Sequence, residues 1–311
     1  MMNNMILALM GTLMYATPLL FAALGGVVSE LSGVMNIGIE GVMTFGAFVA
    51  ATVSFFSGSS ILGFALAGVC GGVLILLHAI TSISLRADQT ISGTAINFLG
   101  PGISVLLTKK LFDGSAFSPP ATKLPSIFPQ ALANRFHGTV FEALNGISSA
   151  TLFAFFCVFL LWFVLYKTKW GLRIRATGEY PAAVDTMGVS VTTVRYCCVL
   201  ASGVLAGFGG AFMSLSVTSS FSPVTVCGHG FIALAAMIFG NWKPHGTMLS
   251  CLLLGFAMEC TTLWGGSNNA WLPVPIMEMF PYLLTIVILI LFVGELATPK
   301  ANGIPYVKGS H

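Results

Sequence analysis

Two stretches of the chain carry no Asp, Glu, Lys or Arg: the 45 residues between Glu40 and Arg86 and the 47 between Arg195 and Lys243. At about 1.5 Å of rise per residue, each is long enough to cross a hydrocarbon core of about 30 Å twice as helix. Charged residues make up 7% of the 311, against 56% hydrophobic, where a soluble domain carries about 25% charge. That balance excludes a soluble enzyme, a disordered chain and a nucleic-acid binder. It predicts an all-α fold, a polytopic transmembrane helical bundle of about 8–10 membrane helices embedded in the lipid bilayer, as one transmembrane domain over residues 1–311.

Apolar runs and their interruptions give spans at 5–24, 38–57, 60–82, 90–108, 149–166, 194–216, 229–242, 246–264 and 277–294. The first lacks a preceding basic residue and a small-residue cleavage site, so it reads as a membrane helix rather than a signal peptide. Along this alternation Arg86, Lys167, Lys169, Arg173, Arg175, Arg195, Lys243, Lys300 and Lys308, nine of the 13 basic residues, share one side. The positive-inside rule makes that side cytoplasmic. Lys109, Lys110, Lys123 and Arg135 fall in one long external loop, 109–148, where charge weighs little in orientation. The C-terminus is then inside and, if residues 25–37 do not cross, the N-terminus outside.

Two polar, glycine-rich interruptions need a separate account, because irregular backbone cannot face lipid. The first runs from Gly25 to Gly41 and the second from Gly207 to Gly230, and the alternation puts them at opposite faces. A glycine-rich helix end, a polar break and a small-residue helix occur in both, the arrangement of an inverted-topology repeat with broken helices beside a midplane pathway. If 29–40 is helical, Ser29, Ser32, Asn36 and Glu40 share a face; Thr90, Thr94, Asn97, Ser104 and Thr108 form a second stripe. Interhelical hydrogen bonding accounts for the Ser and Thr. For Asn36, Glu40, Asn97 and Glu259, packing and a place on the translocation pathway both stay open. His229, between Gly228 and Gly230, is a candidate gate element. Phe45, Phe98 or Phe231 could stack a flat base or sugar, but with 25 phenylalanines packing is the plainer role. Seven cysteines without Cys-x-x-Cys spacing read as small buried hydrophobes.

Residues 167–193 form the main cytoplasmic excursion. Arg173 and Arg175 precede Gly178, after which Glu179–Met187 can make a short helix with Pro181 near its first turn and Gly188 ending it. Ala182 and Ala183 on that helix permit close docking into a partner's cleft, although a merely solvated basic loop has the same composition.

The wording of this segment resembles the coupling loop of the permease family serving branched-chain amino acid, ribose and nucleoside ABC importers. That loop reads Gly-Leu-x-Ile-Arg-Ala-x-Gly-Glu-x-Pro-x-Ala-Ala, then Gly-Ile or Gly-Val. Gly171, Leu172, Ile174, Arg175, Ala176, Gly178, Glu179, Pro181, Gly188 and Val189 match, with Ala182 and Ala183 one place early. Thr17–Leu19 with Gly33–Gly41, Ile91–Asn97 and Gly230–Gly246 are similar to the nucleoside and simple-sugar subgroup. The resemblance spans residues 15–295.

What it implies is a permease subunit of the bacterial cytoplasmic (inner) membrane, for nucleosides or else for simple sugars such as ribose or galactose. Its partners would be an ABC ATPase, a second and different permease chain and an extracytoplasmic substrate-binding protein. ATP and Mg would be bound by the ATPase, with no cofactor on this chain; indeed it has no Gly-x-x-x-x-Gly-Lys-Ser/Thr phosphate loop. The competing class is an ion-coupled secondary transporter, with Glu30, Glu40 or Glu259 as coupling groups, which would leave the elaborate cytoplasmic segment without a role.

Overall fold

The computed structural model describes residues 2–126, 147–265, 273, 279–292 and 298–307. Eleven helices follow in order among them: α1 Met2–Leu31, α2 Ile39–Ser57, α3 Ser60–Ala79, α4 Gln89–Leu111, α5 Ser149–Lys167, α6 Lys169–Glu179, α7 Pro181–Thr186, α8 Val191–Phe212, α9 His229–Phe239, α10 Pro244–Gly265 and α11 Phe280–Phe292. α3 and α8 each continue through a π-helical turn, Ile80–Ser84 and Met213–Val217. Seven of the described helices are long and apolar enough to cross a membrane. The expected all-α bundle is what forms. Half of the 109–148 loop, with Arg135, lies outside the described residues, as does Lys308.

Glycine explains where the spans differ from expectation. α1 does not end at Leu24 but runs to Leu31. Gly25 and Gly26 lie within it as points of close approach: a Cβ would stand 2.8 Å from the Ser202 carbonyl oxygen at one and 2.7 Å from the Met237 sulfur at the other. The stop comes at Gly33, whose φ of +86° suits only a residue without Cβ. Its N–H bonds the Glu30 carbonyl at 2.9 Å and that of Val34 bonds the Ser29 carbonyl at 3.3 Å, the paired bonds of a Schellman cap. Gly207, Gly209 and Gly210 likewise stay inside α8, pressed onto the backbones of Ala67, Pro18 and Met43. The span expected at 229–242 is the 11-residue α9, about 16 Å long and so half a crossing.

α1 and α8 run antiparallel against one another, Gly25 meeting Ser202 and Pro18 meeting Gly209. α2 and α3 pack on α8, whereas α9 and α10 pack on α1. α4 covers α2, and α11 covers α9. The two halves thus exchange partners. Leu19, Phe21, Met43, Ile75 and Phe212 fill the shared core. Contacts of Gly178 with Leu31, Arg195 with Ser32 and Trp242 with Glu30 gather α6, the end of α1, the start of α8 and the α9–α10 turn at one end. Eight of the nine basic residues assigned to one side are described, and they belong to this end. At the other end Ala121 N–H bonds the Ser219 carbonyl at 2.8 Å, beside Lys123.

Candidate functional site

The first break, 32–38, climbs back into the bundle before α2 begins. Met35 N–H donates to Gln89 Oε1 at 2.7 Å, at the first residue of α4. Asn97 Nδ2 donates to the Ile37 carbonyl at 3.0 Å, and its Oδ1 accepts from Gly41 N–H at 2.8 Å. Gln89 and Asn97 are eight residues apart on α4, about 12 Å of rise, so α2 starts well inside the apolar layer. Backbone at that depth persists because protein groups satisfy it, His78 Nε2 adding a bond to the Met35 carbonyl at 3.1 Å. Asn36 is fully buried, and its Nδ2 donates to Ser202 Oγ of α8 at 2.8 Å.

The second break, 218–228, descends from the opposite end and stops on Glu40. Gly228 N–H donates to Glu40 Oε1 and Gly230 N–H to Oε2, each at 2.6 Å. The carboxylate therefore occupies two of the free donors at the N-terminus of α9, where the helix dipole favours negative charge. Gly228 adopts φ +89°, and a Cβ on Gly230 would stand 2.7 Å from Glu40 Cα. His229, between them, bonds the Val226 carbonyl through Nδ1. The breaks open from opposite ends, as the sequence predicts, but converge on one carboxylate.

Other sequence-derived candidates are placed differently. Ser29, Ser32, Asn36 and Glu40 share no helical face, because the Gly33 cap turns the chain: Ser29 and Ser32 bond local carbonyls, and only Asn36 and Glu40 reach the second half. In the second stripe Thr94, Ser104 and Thr108 bond carbonyls of their own helix, whereas Asn97 and, more weakly, Thr90 through the Met35 sulfur at 4.0 Å reach the first break. Glu259 lies against Gly11, whereas Ile39 lies against Gly26. Those glycines are 15 residues apart on α1, about 22 Å, so Glu259 is not part of the junction at Glu40. Phe45 packs on Phe48, while Phe98 and Phe231 are exposed. Cys157, Cys198 and Cys251 are buried as expected; Cys197 and Cys227 are exposed.

The excursion at 167–193 is helical almost throughout. Thr168 Oγ1 accepts from Gly171 N–H at 3.3 Å to begin α6; Pro181 is the first residue of α7, and Gly188 ends it at φ +78°. Gly178 is not a left-handed hinge. It sits in the last turn of α6, where any Cβ would overlap the Leu31 carbonyl. Arg173 lies over the Trp170 ring of its own helix at 5.3 Å, and Arg175 lies over Tyr166 of α5 at 4.7 Å, tying α6 to the end of α5. Between α6 and α7 is a groove of about 510 Å³ lined by Leu172, Ala176, Glu179, Tyr180, Ala183 and Met187. Leu172, Tyr180 and Met187 are 62%, 67% and 82% exposed. A solvated basic loop has no use for such an apolar face; a docking surface does.

Sequence reasoning missed Arg195 except as a topology marker. It is 1% exposed, its Nε donating to the Ser32 carbonyl at 3.2 Å and Nη1 to the Ile304 carbonyl at 3.1 Å. An arginine inside the start of an apolar span was the available signal. Glu30, considered only for ion coupling, accepts instead from the Trp242 indole at 2.7 Å and from Asn302 Nδ2 at 3.1 Å.

Residues 8–292 match the profile of the family described as branched-chain amino acid transport system / permease component. The chain is 40% identical to the guanosine ABC transporter permease protein NupQ of Bacillus subtilis, over 96% of this chain and 95% of that one. It is 36% identical to the nucleoside ABC transporter permease protein NupC of Lactococcus lactis, over 98% of each. Identity to a putative glucose ABC transporter permease protein of Haloferax volcanii is 33%, over 89% of each. No solved structure matches.

Proposed function

The chain belongs to the family of permease components of the branched-chain amino acid transport system, and from that premise we propose that it passes nucleosides across the membrane. It is a multi-pass permease subunit of an ABC importer in the bacterial cytoplasmic membrane and not an enzyme; ATP hydrolysis falls to a separate ATPase subunit. The observation that carries the nucleoside reading is the likeness, over nearly the whole chain, to two permeases named for guanosine and nucleosides. The glucose-permease relative keeps simple sugars as the second reading. Family membership argues against an ion-coupled secondary transporter.

In this reading the ATPase, with its ATP and Mg, docks on the apolar groove of α6 and α7, which supplies the concave water-facing surface such a contact needs. A second permease chain, different from this one, completes the pathway, and an external binding protein delivers the substrate. The translocation path passes the convergence of the two breaks, where Asn36, Glu40, Asn97 and His229 hold half-helix starts in place. Opening must part Glu40 from α9 or move both together. Uptake of labelled guanosine by proteoliposomes holding the permeases, ATPase and binding protein tests the reading. It should require ATP and be competed by other nucleosides but not by glucose or ribose; competition by the sugars alone would transfer the assignment to them.

A further inference from the structure

Residues 298–307 lie beyond the last membrane helix, where a permease needs no further structure, yet the segment is held at every turn. Ala301 N–H donates to the Gly178 carbonyl at 2.8 Å, in the last turn of α6. Asn302 Nδ2 reaches Glu30 of α1, on the oxygen that also takes the Trp242 indole of the α9–α10 turn. The Ile304 carbonyl accepts from the buried Arg195 of α8, which also holds the Ser32 carbonyl at the start of the first break. Tyr306 hydrogen-bonds Asp185 of α7. The Ala301 carbonyl comes within 3.1 Å of where a Gly33 Cβ would stand, so α6, the cap of α1 and this segment meet backbone to backbone.

We propose that residues 298–307 are a transmission strut, moving with the coupling helices α6 and α7 and carrying their displacement to the cytoplasmic ends of α1 and α8. The proposal rests on the importer reading, since only an ATPase contact would displace α6 and α7. Its geometry is specific: the segment is fixed to the coupling helices at two points, Ala301 at Gly178 and Tyr306 at Asp185, and between them Asn302 and Ile304 fix it to the two helices that lead into the breaks. Two buried polar atoms in the same cluster, Asn302 Oδ1 and Arg195 Nη2, have no partner in this arrangement. Buried groups left unmet on the clamp call for an explanation, and a second position of the segment supplies one. Asn302 and Tyr306 are positioning residues; neither belongs to the ATPase groove.

The test uses the reconstituted complex, with ATP-dependent uptake of the parent verified first, so that failure of the importer reading appears in the parent and failure of the strut only in the variants. The Asn302→Ala/Tyr306→Phe double variant should keep the complex intact and basal hydrolysis near parental. Stimulation of hydrolysis by the loaded binding protein should fall at least fivefold, and substrate moved per ATP should fall at least tenfold. An unchanged transport-to-ATP ratio overturns the proposal. Should the double variant fail to assemble, a second measurement decides: Asp185→Cys/Tyr306→Cys in a cysteine-free chain, bridged by a short bifunctional thiol reagent. A strut that travels with α7 transports as well bridged as unbridged, whereas arrest on bridging would mean that α7 slides past the segment and would refute it.

Discussion

Glu40 carries more of the junction than any other side chain, because its two oxygens are divided between two backbone donors at the start of α9. Gln in its place presents an amide donor to one of those N–H groups and removes the charge that the helix terminus favours. Hydrogen bonds to a charged group contribute about 1.5–3 kcal/mol each, so Glu40→Gln should lower the unfolding midpoint in detergent and cut uptake at least tenfold while the complex still forms. Parental uptake with a parental midpoint would make the carboxylate dispensable. Asn97 offers a contrast, since both of its bonds go to the first break. Asn97→Leu leaves the Gly41 N–H and the Ile37 carbonyl without that partner at a cost of about 1–3 kcal/mol each, and should appear chiefly as instability, read by thermal unfolding, with less effect on uptake per folded molecule than Glu40→Gln. At this scale the sequence was informative about which polar residues matter and silent about what they touch. An intramembrane Asn or Glu stands out in an apolar run, but its partner lies 166 residues away for Asn36 and 188 or 190 for Glu40, a separation no local pattern encodes.

Among the elements, α7 was the most legible, for Pro181 and Gly188 punctuate it through their own backbone preferences, whereas α6 was read only as the basic stretch before it. The breaks were legible as regions but misplaced at their edges. Glycine in a membrane helix has two uses, ending it or letting a neighbour approach, and the chain alone does not separate them. Gly33 ends a helix; Gly25, Gly207 and Gly210 admit neighbours. The distinction has a consequence for Gly178. Because its role is contact with the Leu31 carbonyl rather than positive φ, Gly178→Ala should uncouple the ATPase nearly as well as Gly178→Val, whereas a hinge would tolerate neither Ala nor Val but accept Asn. Stimulated hydrolysis across the Ala, Val and Asn variants separates the two, and full activity with Ala would disprove the contact role. Ala183 is exposed on the groove, so Ala183→Glu should leave insertion and unfolding midpoint unchanged while abolishing co-purification of the ATPase. Retained co-purification would move the docking surface elsewhere.

For the molecule as a whole, the clustering of basic residues at one end argues, by the positive-inside rule, for that end facing the cytoplasm. In a cysteine-free chain, Met187→Cys should react with a membrane-impermeant thiol reagent only after the inner face is opened, and Lys123→Cys from intact cells; the reverse pattern would invert the topology. Hydropathy gave the number of crossings closely but not their partners, because an apolar face does not say which other apolar face it meets. The partner exchange between halves also reaches into biogenesis. While the ribosome is still making the first half, the surfaces of α2 and α3 that belong on α8 and the surface of α1 that belongs to α9 and α10 have nothing to cover them except lipid or a chaperone. Neither half is a finished object. Two separately translated fragments divided within 127–146 should each be degraded when made alone and should rescue one another when made together, as the two sides of a clasp hold only once both are present.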